Sequence, residues 1–216
     1  VVDSEYPSCM RLTERVDGSD LEVIARVQGV MCGRKFPPYL RNPVPTNPLA
    51  QIRSLRQHAK ITGFGSADFE TDYAKIEAIH GLFVQSATGR TVVPIQYLPY
   101  EGHLCIESHA RYYTDRASAP FEKNLPFGPN VDPSHILSSI QPEELFHGPD
   151  NVVEYCRRVP AKEGGDFDPG LFKAGDLVEI AFSFVGIPIK DDKTLLVLLL
   201  RGVTLIDDAI RKVRRQ

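Results

Sequence analysis

The apolar run at residues 195–200, Leu-Leu-Val-Leu-Leu-Leu, constrains this chain more than any other feature. A run this short and apolar at every position fits a strand covered on both faces, and it falls far below the roughly 20 apolar residues that cross a bilayer. Upstream of it, residues 171–180, 181–185 and 187–189 are rich in Val, Ile and Phe, and a polar turn at Lys190-Asp-Asp-Lys193 precedes the run. Together they predict a long hairpin with the leucine run as its central strand. Within its approach, Phe172-Lys-Ala-Gly-Asp-Leu-Val-Glu179 predicts a tight turn at Gly175, with Asp176 bonded to the local backbone.

Other strands follow from alternation. Residues 151–159 alternate in and out, and residues 21–30 are rich in β-branched side chains up to a closing Gly33. Residues 79–85 and 91–98, separated by Ser86-Ala-Thr-Gly-Arg90, predict a second hairpin, whose later strand Pro94 restricts to an edge or a bulge. Residues 104–107 extend that sheet. Between Phe36 and Pro48 five prolines predict an extended surface crossing. Asn47 and Pro48 then supply an N-cap and first turn, and Leu49, Ile52 and Leu55 give one apolar stripe. The predicted helix ends at Gly63 and Gly65, with Arg53, Arg56 and Lys60 on its polar surface. Asp132-Pro133 starts a helix through Ile140, with a further turn at Gln141-Pro142, and Asp207 starts a short terminal helix.

The expected fold class is α+β or mainly β: an antiparallel sheet of barrel-like form with a few short helices at its edges. A chain of 216 residues is expected to form one globular domain over 1–216. A division into two lobes, if there is one, falls at residues 119–130.

No HExxH, GxSxG, Walker A or GxGxxG pattern occurs, and no catalytic residue is assigned. Cys9, Cys32, Cys105 and Cys156 lie far apart without a CxxC pair, which predicts free thiols rather than a zinc ribbon or a disulfide framework. In His103-Leu-Cys-Ile-Glu-Ser-His109, a strand would put His103, Cys105, Glu107 and His109 on one face. Alternate positions are roughly 6–7 Å apart along a strand, too far for all four to ligate one ion. His103 and His109 are therefore weak metal candidates, and no cofactor is expected.

The net charge of -3 argues mildly against a dedicated nucleic-acid-binding domain, although the field that matters is local. Basic residues gather at Arg53, Arg56 and Lys60, at Arg157 and Arg158, and at Arg211, Lys212, Arg214 and Arg215. Tyr97, Tyr100, Tyr112 and Tyr113 offer aromatic faces to stack on bases.

Several stretches resemble a multicopy protein family of mushroom-forming basidiomycete fungi. They are Val153-Glu-Tyr-Cys-Arg-Arg-Val159, Phe172-Lys-Ala-Gly-Asp-Leu-Val-Glu-Ile180, Phe182-Ser-Phe-Val185 and Leu196-Val-Leu-Leu-Leu-Arg-Gly-Val-Thr-Leu205, joined by Ile79-His-Gly81, Val93-Pro-Ile95 and Gly102-His-Leu104. The family's distribution is similar to that of mobile-element genes. It has no known activity, so the resemblance implies no site residues.

The leading expectation is a non-enzymatic binding module whose partner is another protein or a second copy of itself, motivated by the apolar hairpin and the Pro-rich arm. The alternative is a nucleic-acid-binding module using Arg53, Arg56, Lys60, Arg211, Lys212, Arg214 and Arg215. A metal-dependent enzyme around His103 and His109 is the second alternative. No signal peptide or membrane span is visible from Val1 onward, which predicts an intracellular protein, cytoplasmic or nuclear.

Overall fold

The structure is a computed structural model that describes residues 1–5, 7–41, 48–96, 98–159 and 162–209, the side chains of 159 and 162–165 excepted. From the N-terminus the chain forms β1 (Val2–Ser4), β2 (Cys9–Arg11), β3 (Thr13–Val16), β4 (Ser19–Glu22) and β5 (Ile24–Lys35). Helix α1 (Pro48–Ser54), β6 (Arg56–Thr62), α2 (Ala67–Ser86), β7 (Thr91–Val93) and β8 (Cys105–Arg111) follow. The remainder is β9 (Thr114–Asp115), α3 (Ile136–Ile140), β10 (Leu145–Phe146), β11 (Glu154–Val159), β12 (Lys162–Asp166), β13 (Leu177–Ile189) and β14 (Lys193–Asp207).

The predicted hairpin is present: β13 and β14 pair from Ile189–Lys193 outward, across a turn in which Asp191 and Asp192 take left-handed φ angles of 63° and 50°. β13 also pairs with β5, β5 with β6 and β6 with β8, all antiparallel, and β8 meets β14 in parallel at His109–Leu199. The five strands thus close a ring. Numbered in chain order, the ring runs 1-2-3-5-4 and back to 1, with the third and fifth strands parallel, which is the connectivity of an OB-fold. β2 and β1 extend the sheet from β13, and β11 and β12 extend it from β14.

The ring's interior is filled by the inward side chains of each strand. Val27 and Met31, Ala59 and Ile61, Ile106 and Ala110, and Val178, Ile180, Phe182 and Phe184 meet Leu196, Leu198 and Leu200. Between Ala181–Gly202 and Phe182–Leu200 the pairing skips Arg201, a bulge residue. The bulge changes which residues of β14 face inward, from Leu196, Leu198 and Leu200 to Val203 and Leu205, and leaves Arg201 half-buried on the outer side. Burial on both faces of the leucine run holds at Val197, which packs with Cys9 and Val185, but not at Leu195, which is exposed. The turn before β13 is as predicted: Gly175 has φ 90°, and an Asp176 carboxylate oxygen accepts the Lys173 amide at 2.7 Å.

The expected fold class holds, with corrections to individual elements. The helix expected to run to Gly63 stops at Ser54, because from Arg56 the apolar period changes to two: Gln57, Ala59 and Ile61 all turn inward. Residues 79–85 are not a hairpin strand but part of α2. Phe69, Ile76 and Phe83, seven residues apart and so on one helical face, enter the ring core, while Leu82 and Val84, which gave the stretch its strand-like look, are exposed. Of the expected 91–98 strand, Thr91–Val93 forms. Gly33 does not close its strand, since β5 continues to Lys35 past a bulge at Cys32. α3 begins at Ile136, and Asp132 caps it by accepting the Leu137 and Ser138 amides at 3.0 and 2.8 Å.

A second cluster joins Ile52 and Leu55 of the α1 segment to Tyr112, Tyr113, Leu137 and Leu145. Tyr112 and Tyr113 are wholly buried there, so neither is available to stack on a base. Asp207, expected to start a terminal helix, instead ends β14, and the stretch beyond Ala209, with Arg211, Lys212, Arg214 and Arg215, lies outside the described residues, as do Asn47 and Tyr97. No helix among the described residues is long and apolar enough to cross a membrane.

Candidate nucleic-acid interface

Because side chains alternate along a strand, burying Gln57, Ala59 and Ile61 puts Arg56, His58 and Lys60 on the outer face of β6. The same alternation puts Glu107, His109 and Arg111 on the outer face of β8. The register sets Arg56 opposite Arg111, His58 opposite His109, and Lys60 opposite Glu107, with Lys35 of β5 on the far side of His58. Across these three neighbouring strands the outer face carries Lys35, Arg56, Lys60 and Arg111 against the single carboxylate of Glu107.

The arginine pair is the unusual part. Like charges directly opposite one another in a sheet are destabilising, yet neither Arg56 nor Arg111 has an ion-pair partner among the described residues. Their field is felt next door: burial first, then Arg56, His58 and Arg111, push His109 down to about 4, so its imidazole is neutral at pH 7. Lys60 behaves differently. Burial would lower it, but the Glu107 carboxylate 3.0 Å away outweighs that and holds it above its ordinary value. Glu107 also lies 3.4 Å from His58 Nε2.

At one end of this face Arg53 of α1 pairs with Asp115 at 2.7 Å. At the other end two tight turns meet, residues 63–66 leaving β6 and residues 100–103 entering β8. Phe64 there contacts His103 and Tyr100 with ring centroids 5.5 and 6.2 Å apart. Cys32 and Cys105 come together beneath this end with sulfurs 4.0 Å apart, and burial followed by the neighbouring Cys105 pushes Cys32 up to about 12. Both are free thiols. They stand on strands separated by β6, so a disulfide between them would require the ring to deform.

Of the residues singled out in sequence, Arg56 and Lys60 therefore share one face, Arg53 sits beyond its end in an ion pair, and the terminal cluster is outside the described residues. Of the four residues expected to line one strand face, Cys105, Glu107 and His109 do occupy alternate positions of β8, while the turn at Glu101-Gly102 keeps His103 out of the strand, and the Cys105 thiol lies against Cys32. Among the described residues no three His, Cys, Asp or Glu side chains are grouped to hold a metal ion. Sequence reasoning missed Lys35, His58 and Arg111. The period-two spacing of Arg56, His58 and Lys60 was the available signal, hidden by reading that stretch as helix.

A cleft of about 690 Å³ opens elsewhere on the surface, and its charges balance. Arg26, Arg158 and Arg201 line it together with Glu22, Asp150 and Glu154.

No protein-family model and no curated protein matches the sequence. Among solved structures, the chain is similar to gp2.5, a single-stranded DNA-binding protein encoded by bacteriophage T7, with a TM-score of 0.43 and 11% identity over 85% of this chain and 91% of that one.

Proposed function

We propose that this protein binds nucleic acid along the outer face of β5, β6 and β8, with the phosphate backbone seated on Lys35, Arg56, Lys60 and Arg111. The observation that carries the reading is the cross-strand pair Arg56–Arg111, which no carboxylate among the described residues neutralises. A sheet that tolerates such a pair has a use for an external anion, and a polyanion satisfies both guanidiniums at once. The strand connectivity agrees, since OB-folds take oligonucleotides across their second and third strands, here β6 and β8. A protein or second copy as partner loses one of its two motivations, because the apolar hairpin points largely into the ring core, and residues 42–47 of the Pro-rich arm lie outside the described residues. Membership of the multicopy basidiomycete family is proposed alongside, and a distribution like that of mobile elements suits a protein that handles nucleic acid.

The test is fluorescence anisotropy with labelled oligonucleotides over a series of salt concentrations. Changing Lys35, Arg56 and Arg111 together to Ala is expected to weaken binding roughly 30-fold or more near 0.1 M salt, and to flatten the log–log salt slope by about 2, since each single-strand phosphate contact contributes ~0.7. Wild-type binding with no salt dependence, or a triple variant that binds unchanged, would overturn the reading.

Glu107→Gln provides a test in the opposite direction. It removes the one carboxylate on the face and frees Lys60, so affinity is expected to rise several-fold with a steeper salt slope. A loss of affinity in a variant that melts like the wild type would count against the proposed face.

A further inference from the structure

We propose that Phe64, with Tyr100 and His103 behind it, is a stacking platform for an unpaired base at the end of the basic face, and that it makes the protein select single strands over duplex. This rests on the nucleic-acid reading of that face and names its substrate class.

Phe64 has a φ of 49°. Left-handed backbone is uncommon for any residue but glycine, asparagine or aspartate, and for a bulky side chain it is an outlier. The following Gly65, at φ 83°, completes a tight turn, and Glu101 and Gly102 form a matching one at 49° and 81°. The two turns are tied together. The Thr62 hydroxyl donates to the Leu104 carbonyl at 2.8 Å and accepts the Phe64 amide at 3.3 Å, while Tyr100 and His103 exchange backbone hydrogen bonds of 3.0 and 2.9 Å. This frame holds the strained residue in place, yet the ring it carries is not used as core: Phe64 remains 42% exposed. Its contacts to Tyr100 and His103 are edge-on, with interplanar angles of 73° and 72°, so it is braced without joining a parallel stack. Strained residues that the surrounding structure over-determines cluster at active sites and ligand clamps.

The position supplies the ligand. Phe64 follows Lys60 by four residues, at most ~13 Å further along an extended chain, so a backbone held at Arg56, Arg111 and Lys60 brings a base to Phe64. Stacking on an aromatic ring needs an exposed base face, which a single strand offers at every nucleotide and a duplex only at its ends.

The experiment compares an oligo-dT strand, an abasic strand of equal length and a duplex on the full chain. Phe64→Asn keeps a residue that tolerates left-handed φ, so the turn survives. It is expected to weaken oligo-dT binding roughly tenfold, with the salt slope and the abasic and duplex affinities unchanged. The chain contains no tryptophan, so Phe64→Trp places a single, selectively excited tryptophan on the platform. Its emission is expected to be quenched by oligo-dT and not by the abasic strand. If Phe64→Asn leaves oligo-dT binding unchanged, or weakens all three ligands equally, the platform is overturned while the basic face stands. If the wild type binds none of the three with a salt slope, the reading of the face fails and the platform with it.

Discussion

Arg201→Met is expected to lower the unfolding free energy by about 3 kcal/mol, or Tm by roughly 6–12 °C, one of the largest losses of any substitution outside the apolar core. Arg201 closes a ring of four charges. Arg11 bonds Glu22 at 2.8 Å and also bonds Asp150; Arg201 bonds both oxygens of Glu22 at 2.7 Å and Asp150 at 2.9 Å. Its Nε donates to the buried Ser183 hydroxyl at 3.1 Å. The four side chains come from β2, β4, β14 and the short turn at residues 149–151, so the network ties the N-terminal ribbon and that turn to the ring. All four are between 15% and 27% exposed, so water arriving through the cleft that Glu22, Asp150 and Arg201 line replaces a lost partner only in part. Removing Arg201 strands two carboxylates on Arg11 alone. Because the bulge in β14 is what turns Arg201 outward, sequence spacing gives no hint of this contact across 179 positions to Glu22.

The same network fixes an acid limb. Burial pushes Asp150 up, but the hydrogen bonds and charges of Arg11 and Arg201 outweigh it and hold the carboxyl below its ordinary value. A depressed folded-state value means that this stability is complete above about pH 5, where an unfolded Asp is almost wholly ionised, and is lost as pH falls through the depressed value. Urea unfolding at a series of pH values should therefore show a flatter acid limb for Asp150→Asn than for the wild type. An Arg201→Met variant with unchanged Tm, or equal acid limbs, would show that the network is solvated and adds little.

How much of this was legible in the sequence depended on whether neighbouring residues alone decide the outcome. The β13–β14 hairpin and the Gly175 turn were, because alternation, apolar content and turn chemistry all point the same way within a few residues. α2 was not. Its buried core residues are spaced by seven, Phe69, Ile76 and Phe83, with Tyr73 and Ile79 only partly buried against the same core, while Leu82 and Val84 imitate a strand and Gly81 weakens the helical pattern. The basic face was half legible: Arg56 and Lys60 were picked out as a cluster, but their shared face depends on β6 being a strand. The opposition of Arg56 to Arg111 depends on pairing between residues 55 positions apart, which periodicity does not encode.

The junction between β6 and α2 carries the second large effect. A Cβ built on Gly63 would stand 2.3 Å from Phe69 Cβ and 2.4 Å from Phe69 Cγ, atoms fixed to the helix backbone rather than at the end of a flexible side chain. Gly63→Ala therefore cannot be absorbed by a rotamer change, and the first turn of α2 must move away from β6. The expected cost is about 3 kcal/mol, at the upper end of overpacking effects. Truncating the ring as Phe69→Ala does not rescue it, because the Cβ–Cβ clash remains and the core loses a buried phenyl group as well. Gly81, inside the same helix, is the contrast: nothing lies within 4 Å of a Cβ there, so Gly81→Ala is expected to stabilise by about 0.5–1 kcal/mol. Thermal melts of the two variants should move in opposite directions. Binding separates them further. Phe64 lies in the short link between Gly63 and the helix that is displaced, so Gly63→Ala is expected to weaken oligo-dT binding even well below its Tm, whereas Gly81→Ala leaves it unchanged. If Gly63→Ala melts like the wild type, Gly63 and Phe69 are not in close contact in solution and the junction does not hold Phe64 in place.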